Sequence, residues 1–399
     1  MKKIREVLGF INNHGLYPDV KIISSPSLPE VIINGKKVLS FCSNNYLGLA
    51  ASEKLINGAI KTAKEYGVGS GGSRLLSGNL EIFQKLEQKL AEFKHTESAI
   101  TFTAGYMANV GTIQAVMNPI EVKPLSFVLR TKNVVLSDEL NHASIIDGCR
   151  LSKVRVVVYK HCDMEDLEKK LKKYRNWRKL IVTDGIFSMD GDITPLPDIV
   201  RLAKKYNALV MIDDAHATGI LGKRGSGTAE YFGLDNEVDI KMGTLSKALG
   251  ASGGYVAGSK ELVDYLRVSA RTYIFATAMS PIIAGAVLAA IQEAQENNSL
   301  RDRLWRNTER LREGFKKLGY NTLNSQTPII PVLIGDEEKA IKFAHMLFEK
   351  GFFAPCVRWP AVEKNKARIR FTVMSLHNDA QIDNLLENFY KVSKLLNII

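Results

Sequence analysis

The stretch Ala208-Leu209-Val210-Met211-Ile212-Asp213-Asp214-Ala215-His216 opens as an unbroken apolar run and closes on two acids and a histidine. A short apolar run without polar alternation marks a strand covered on both faces, the pattern of a parallel sheet. In such sheets the chemistry gathers beyond the carboxyl ends of the strands. Asp213, Asp214 and His216 are therefore the first residues to inspect. Two acids at the end of a buried strand are costly to ionise without a partner. A helix N-cap or a salt bridge would also account for them. A metal site would need further ligands, and none stands at suitable spacing.

The same rhythm continues on both sides. Apolar runs at 98–103, 133–137, 154–159, 180–184 and 239–245 alternate with amphipathic stretches such as 164–174 and 196–206. Strands separated by helices predict an α/β domain with a mostly parallel sheet. Past about residue 290 the pattern changes to a charged helix at 300–318, a strand at 329–334, a helix at 338–349, a strand at 369–373 and a final helix. That predicts a smaller α+β unit. Residues 30–41 alternate around Asn34-Gly35 and predict a hairpin. Residues 1–20 predict an amphipathic helix running to Tyr17-Pro18. The expected organisation is an N-terminal helix and hairpin over 1–45, a large domain over 46–288 and a small C-terminal domain over 289–399.

Composition narrows the function classes. The 399 residues are 45% hydrophobic, ample for a core. The longest uncharged apolar candidate, 281–291, is too short for a bilayer and reads as a buried helix, so no membrane insertion is expected. The basic start Met1-Lys2-Lys3-Ile4-Arg5 meets Glu6 at once and no apolar h-region follows, which argues against a signal peptide. The four cysteines form no Cys-x-x-Cys pair and point to a reducing, cytoplasmic setting. The net charge of +12 suits a soluble surface or an anionic substrate. Nucleic acid is not an expected partner, because the basic residues are spread along helical segments without a fold motif or aromatic interleaving. Gly67-Val68-Gly69-Ser70-Gly71-Gly72 matches G-x-G-x-x-G, but a helix at 55–66, not a strand, is expected before it. A dinucleotide fingerprint is thereby excluded.

The decisive partner of Asp213 is a lysine. Met242-Gly243-Thr244-Leu245-Ser246-Lys247-Ala248-Leu249-Gly250 follows the next strand, with Lys247 among small and apolar residues. Desolvation there would lower its pKa and free the amine for Schiff-base chemistry. A surface lysine on a small-residue turn is the alternative. An acid for a pyridinium nitrogen and a lysine for an aldehyde are together what pyridoxal 5′-phosphate (PLP) demands. PLP also needs a phosphate site. Thr103-Ala104-Gly105-Tyr106 follows a strand and opens a helix, whose N–H groups bind anions. Thr244 can add a hydroxyl. His142, in Asn141-His142-Ala143-Ser144, could stack on a ring or bond a carboxylate, or be a hydrogen-bonded structural histidine. Ser188 lies just past a strand, within reach of the ring.

Taken together, Asn44-Asn45-Tyr46-Leu47-Gly48-Leu49, Gly69-Ser70-Gly71-Gly72-Ser73-Arg74, Asn141-His142-Ala143-Ser144, Asp213-Asp214-Ala215-His216 and Thr244-Leu245-Ser246-Lys247 resemble the motifs of the α-oxoamine synthase family. The likeness runs from about residue 35 to the end. It implies a fold-type-I PLP enzyme, a homodimer with shared active sites, that joins a small amino acid to an acyl-CoA or acyl-carrier-protein thioester with loss of CO2. It implies that Lys247 is the imine lysine and proton base, Asp213 the pyridinium partner, His216 the contact of the ring hydroxyl and His142 the stacking histidine. Gly105, Tyr106, Ser188 and Thr244 are the further cofactor contacts it implies, with Thr277 contributed by the neighbouring subunit. Arg368, with Arg370 as the alternative, is the implied carboxylate clamp; Asn44 and Thr372 complete the implied substrate contacts. The stretches at 69–76, 105–109 and 358–360 resemble the branch that uses L-alanine and a pimeloyl thioester. Those at 141–149 and 300–305 resemble the branch that uses an acetyl group, and the branch that uses serine and a palmitoyl group is open as well. Three departures stand out: Ala276 where the family often has Ser or Thr, no arginine around Tyr17-Pro18-Asp19, and a long connection at 119–131 expected near the acyl entrance.

Overall fold

Seven strands form the main sheet, in the order Ser98–Phe102, Gly254–Gly258, Ile240–Thr244, Ala208–Asp213, Arg178–Asp184, Asn133–Asp138 and Arg155–Tyr159. The computed structural model describes residues 1–13, 17, 19–118 and 132–399. The last five strands in that order are mutually parallel, and Gly254–Gly258 runs antiparallel to both its neighbours. Alternate residues of a strand face opposite sides, and in the central strands both sides are buried, while the edge strand Arg155–Tyr159 leaves Val156 and Val158 exposed. Val135, Leu180, Val182 and Met211 pack beneath Ile113 of the helix Gly105–Met117 and Ile145 of the helix Ala143–Leu151. Val134, Leu136, Ile181, Val210 and Ile212 pack against the helices Met164–Lys173 and Leu196–Tyr206. This is why the strands read as continuous apolar runs.

Gly254–Gly258 is the strand of this sheet that the sequence reading does not anticipate; it likewise misses the two-residue strands Phe352–Phe353 and Cys356–Val357. Glycine is depleted in strands, and Gly-Tyr-Val-Ala-Gly shows no alternation. Its bare backbone has a packing reason. A Cβ built on Gly254 would lie 2.6 Å from Gly105 Cα and 2.7 Å from Gly105 N. The amino-terminal turn of the helix Gly105–Met117 therefore sits directly on this strand.

Toward the carboxyl terminus, Ile329–Gly335, Ala367–Thr372 and Cys356–Val357 form a small antiparallel sheet, flanked by the helices Asn298–Lys317, Glu337–Glu349 and Asp379–Leu395. The expected hairpin is present as Glu30–Ile33 and Lys36–Ser40. It does not stand alone: Phe352–Phe353 adds to it as a parallel third strand. Beyond the hairpin, Thr372 N donates to Phe41 O at 2.7 Å and Ser375 N to Tyr46 O at 2.8 Å. The segment carrying Asn44 is thus laced along the strand that carries both candidate arginines. The helix expected over 1–20 spans Lys2–Asn13. Its expected end at Pro18, and the connection at 119–131, lie outside the described residues. The glycine-rich loop at 67–72 follows the helix Glu53–Tyr66, as expected. No described helix is long and apolar enough to cross a membrane.

The contact between Gly254 and Gly105 yields a test. Gly254→Ala should destabilise the protein by about 1–3 kcal/mol, the usual size of overpacking against backbone that cannot yield. Thermal unfolding of the purified variant measures it; a transition unchanged from the parent would show that the two backbones are not packed this closely.

Candidate active site

The parallel strands deliver their last residues to one edge of the sheet. Asp184 and Asp213 are Cα partners in register, as are Asp213 and Met242. Beyond this edge lies a cavity of about 270 Å³, close to the lower end of small-molecule sites, roughly 300–1,000 Å³. Eight of the nine residues expected to contact a cofactor line it: Gly105, Tyr106, His142, Ser188, Asp213, His216, Thr244 and Lys247. The ninth, Thr277, lies elsewhere, bridged to Ser73.

Asp213 is 3% exposed, and its carboxylate is held from two sides. Oδ1 accepts from Ala215 N at 2.8 Å and Oδ2 from Asn109 Nδ2 at 2.7 Å. The same amide nitrogen reaches Ser144 Oγ at 2.8 Å. Ser144 Oγ lies 2.7 Å from His142 Nδ1, and Ser144 N donates to that atom at 3.2 Å. Nδ1 of His142 is therefore an acceptor, and the neutral ring carries its proton on Nε2. Burial lowers the His142 pKa, against the opposing pull of Asp213 and with the help of Lys247. Asn109 thus links the orientation of Asp213 to the tautomer of His142.

His216 is held differently. Its Nδ1 lies 2.7 Å from the Tyr46 hydroxyl. Burial, then the charges of Lys247 and Arg370, push the His216 pKa well below the ordinary histidine value. Burial also pushes the Tyr46 phenol up to about 12, so this phenol keeps its proton. Asn44 Oδ1 lies farther from the same hydroxyl, at 3.2 Å.

Lys247 has no hydrogen bond or ion pair at Nζ among the described residues. Burial pushes its pKa down to about 8, opposed by Asp213 and Asp184 and reinforced by Arg370. Asp184 was not singled out from sequence, although it ends the strand beside Asp213 and the rule of carboxyl ends would have found it. It is buried, accepts from His142 N at 2.8 Å, and is held well above the usual carboxylate range by burial and by the charge of Asp213.

The far wall is built for an anion. The helix Gly105–Met117 starts after Ala104, which offers no side-chain cap, so its first N–H groups are left unpaired within the helix. A Cβ at Gly105 would stand 3.3 Å from Thr244 Oγ1, a tight contact, so glycine here leaves the cradle open. Tyr106 flanks it, with its hydroxyl bonded to the Asp147 carboxylate.

The two arginines separate. They lie two residues apart on one buried strand. Arg368 Nη1 is paired with Asp190 Oδ1 at 2.5 Å. Arg370 Nε donates to Ser188 O at 2.5 Å, and Nη2 approaches Asn44 Oδ1 at 3.4 Å. Arg370, not Arg368, is the arginine whose charge is felt at Lys247 and His216. Thr372 is fully buried and donates to Ser43 O at 2.8 Å, so its hydroxyl secures the Asn44 segment.

These features fit PLP: an oriented carboxylate, a depressed lysine, a neutral imidazole and a helix terminus open to phosphate. Comparison with known proteins agrees. A sequence model of the aminotransferase class I and II family matches residues 36–389. The 8-amino-7-oxononanoate synthase of Thermoanaerobacter pseudethanolicus is 48% identical over 99% of this chain and 98% of its own length. That of Thermosipho melanesiensis is 47% identical, covering 98% and 97%. Among solved structures, serine palmitoyltransferase from S. paucimobilis with bound PLP and myriocin superposes with a TM-score of 0.92 at 30% identity, over 100% of this chain and 98% of that one. The chain belongs to the aminotransferase class I and II family and, within it, to the PLP-dependent α-oxoamine synthases.

Proposed function

We propose that this chain condenses L-alanine with a pimeloyl thioester, with loss of CO2, to give 8-amino-7-oxononanoate, a step of biotin synthesis. One observation carries the reading: a lysine amine depressed by burial and a buried, oriented carboxylate meet in a single cavity. The names of the relatives nearly half identical in sequence support this choice of substrates. Serine with a palmitoyl thioester is the second reading, favoured by the close superposition on serine palmitoyltransferase; glycine with an acetyl thioester is the third.

PLP, when bound, draws electrons from the amino-acid Cα and so stabilises the charge left by bond cleavage there. Asp213, fixed by Asn109 and by Ala215 N, holds the ring nitrogen in its protonated form. Lys247 Nζ takes the α-proton; with a pKa about 8 it spends part of its time as the free base at neutral pH. His142 offers its Nε2–H across the cavity. Arg370 grips the substrate carboxylate with the help of Asn44, since Arg368 is already committed to Asp190. Thr277, away from the cavity of its own chain, serves the phosphate of a second copy in a homodimer. The thioester carrier, coenzyme A or a carrier protein, is anionic, which suits the net charge of +12. The four unpaired cysteines suit a cytoplasmic setting.

A matrix of alanine, glycine and serine against acetyl, pimeloyl and palmitoyl thioesters, read by release of free thiol, tests the assignment. Alanine with pimeloyl should give the highest kcat/KM; no turnover with that pair would remove the biotin reading.

Lys247→Ala should abolish the absorbance of the covalently held cofactor and lower kcat by about a thousandfold or more, within the range of general-base loss. The apoenzyme should capture PLP faster as pH rises through about 8, because the neutral amine is the nucleophile. A rate that rises only near the ordinary lysine value would contradict the depressed amine.

Arg370→Lys should raise the KM for the amino acid by about tenfold or more through loss of bidentate contact, while Arg368→Lys raises it less. Steady-state kinetics at saturating thioester decide between them, and the reverse order would return the clamp to Arg368.

A further inference from the structure

The loop after the strand Arg178–Asp184 carries Ser188 to the cavity. It is closed by a bridge between Ile186 and Ile193, and Phe187 N donates to Asp192 O at 3.1 Å. The C-terminal sheet holds its outer side. Arg370 binds Ser188 O, Arg368 binds Asp190, and Thr327 Oγ1 donates to Gly191 O at 2.8 Å. On the opposite side stands His161, outside the cavity. Its Nε2 lies 2.8 Å from Asp192 Oδ2 and its Nδ1 lies 3.0 Å from Asp138 Oδ1. Its ring meets Phe187 edge-on, 4.4 Å between centroids, and its backbone N donates to Glu139 Oε1 at 2.7 Å.

We propose that His161 is a positioning residue: donating from Nδ1 to Asp138 and from Nε2 to Asp192, it ties the Ser188 loop to the end of the strand Asn133–Asp138, and so fixes the two arginines that the loop holds. The inference rests on reading the cavity as the PLP site. A carboxylate at each nitrogen requires a proton on each, which makes the ring an imidazolium. Burial opposes that charge, but the bonds from Asp138 and Asp192 outweigh it and push the pKa up to about 12. Charge-assisted bonds of this kind are the strong ones. Donor atoms of Asp138, His161 and Cys162 lie within 4.8 Å of one another, a set that could hold a metal. The carboxylates on both imidazole nitrogens favour the tie, since they leave no lone pair for a metal.

His161→Gln keeps a donor for one carboxylate and loses the other. In the holoenzyme, backbone hydrogen exchange over residues 186–193 should accelerate by about tenfold, with the strands Arg178–Asp184 and Ala208–Asp213 unchanged. The KM for the amino acid should rise by about fivefold or more, with the KM for the thioester within about twofold of the parent. Asp192→Asn, which keeps an acceptor and removes a charge, should show the same pattern more weakly, and it decides the matter if the first variant fails to fold. Exchange in the loop unchanged, or accelerated through the whole sheet, would overturn the proposal. So would tight zinc binding by the parent that is lost in Cys162→Ser. If the parent binds no amino acid, the functional reading fails, and the exchange experiment still judges the tie.

Discussion

The negative charge of Asp213, buried at the end of a strand covered on both faces, is the constraint to which the other groups of the cavity answer. Asp213 is almost wholly buried, so its field is weakly screened. Asp184, its neighbour in register, is held toward the protonated state. His142 and Lys247 feel it in the opposite sense, as a partial offset to the burial that would strip them of charge. The balance leaves an amine that can gain and lose a proton near neutrality and two imidazoles that stay neutral. Two adjacent carboxylates of which one is kept uncharged are a familiar way of separating the roles of like groups.

Much of this was legible in the residues themselves. The six apolar runs are all strands; five are buried along most of their length, where a strand covered on both faces must be apolar throughout, and the sixth, Arg155–Tyr159, is an exposed edge whose valines favour a strand by propensity. The rule that chemistry sits past the carboxyl ends led to Asp213, His216, Ser188 and Lys247, and the fold places all four on one cavity. Lys247 stood out because a lysine among Gly, Ala, Ser and Leu has little to keep it charged.

What the residues did not reveal depends on tertiary contact. Asn109 looks like any polar residue on a helix until its amide is found between Asp213 and Ser144. Arg368 and Arg370 share a strand face, and no local pattern distinguishes them; Asp190, nearly two hundred residues away in sequence, does so by engaging only the first. Gly254–Gly258 escaped because its glycines answer to a helix packed on them rather than to strand propensity.

The pairing of the hairpin with Phe352–Phe353 has a mechanical consequence. Residues from the two ends of the polypeptide are sewn into one lobe, with Asn44 near its amino end and Arg370 near its carboxyl end. Were that lobe to rock away from the large sheet to admit a long acyl tail, the two side chains would travel together. Their mutual spacing would survive each opening, and what would have to re-form on closing are the bonds of the two arginines to the Ser188 loop.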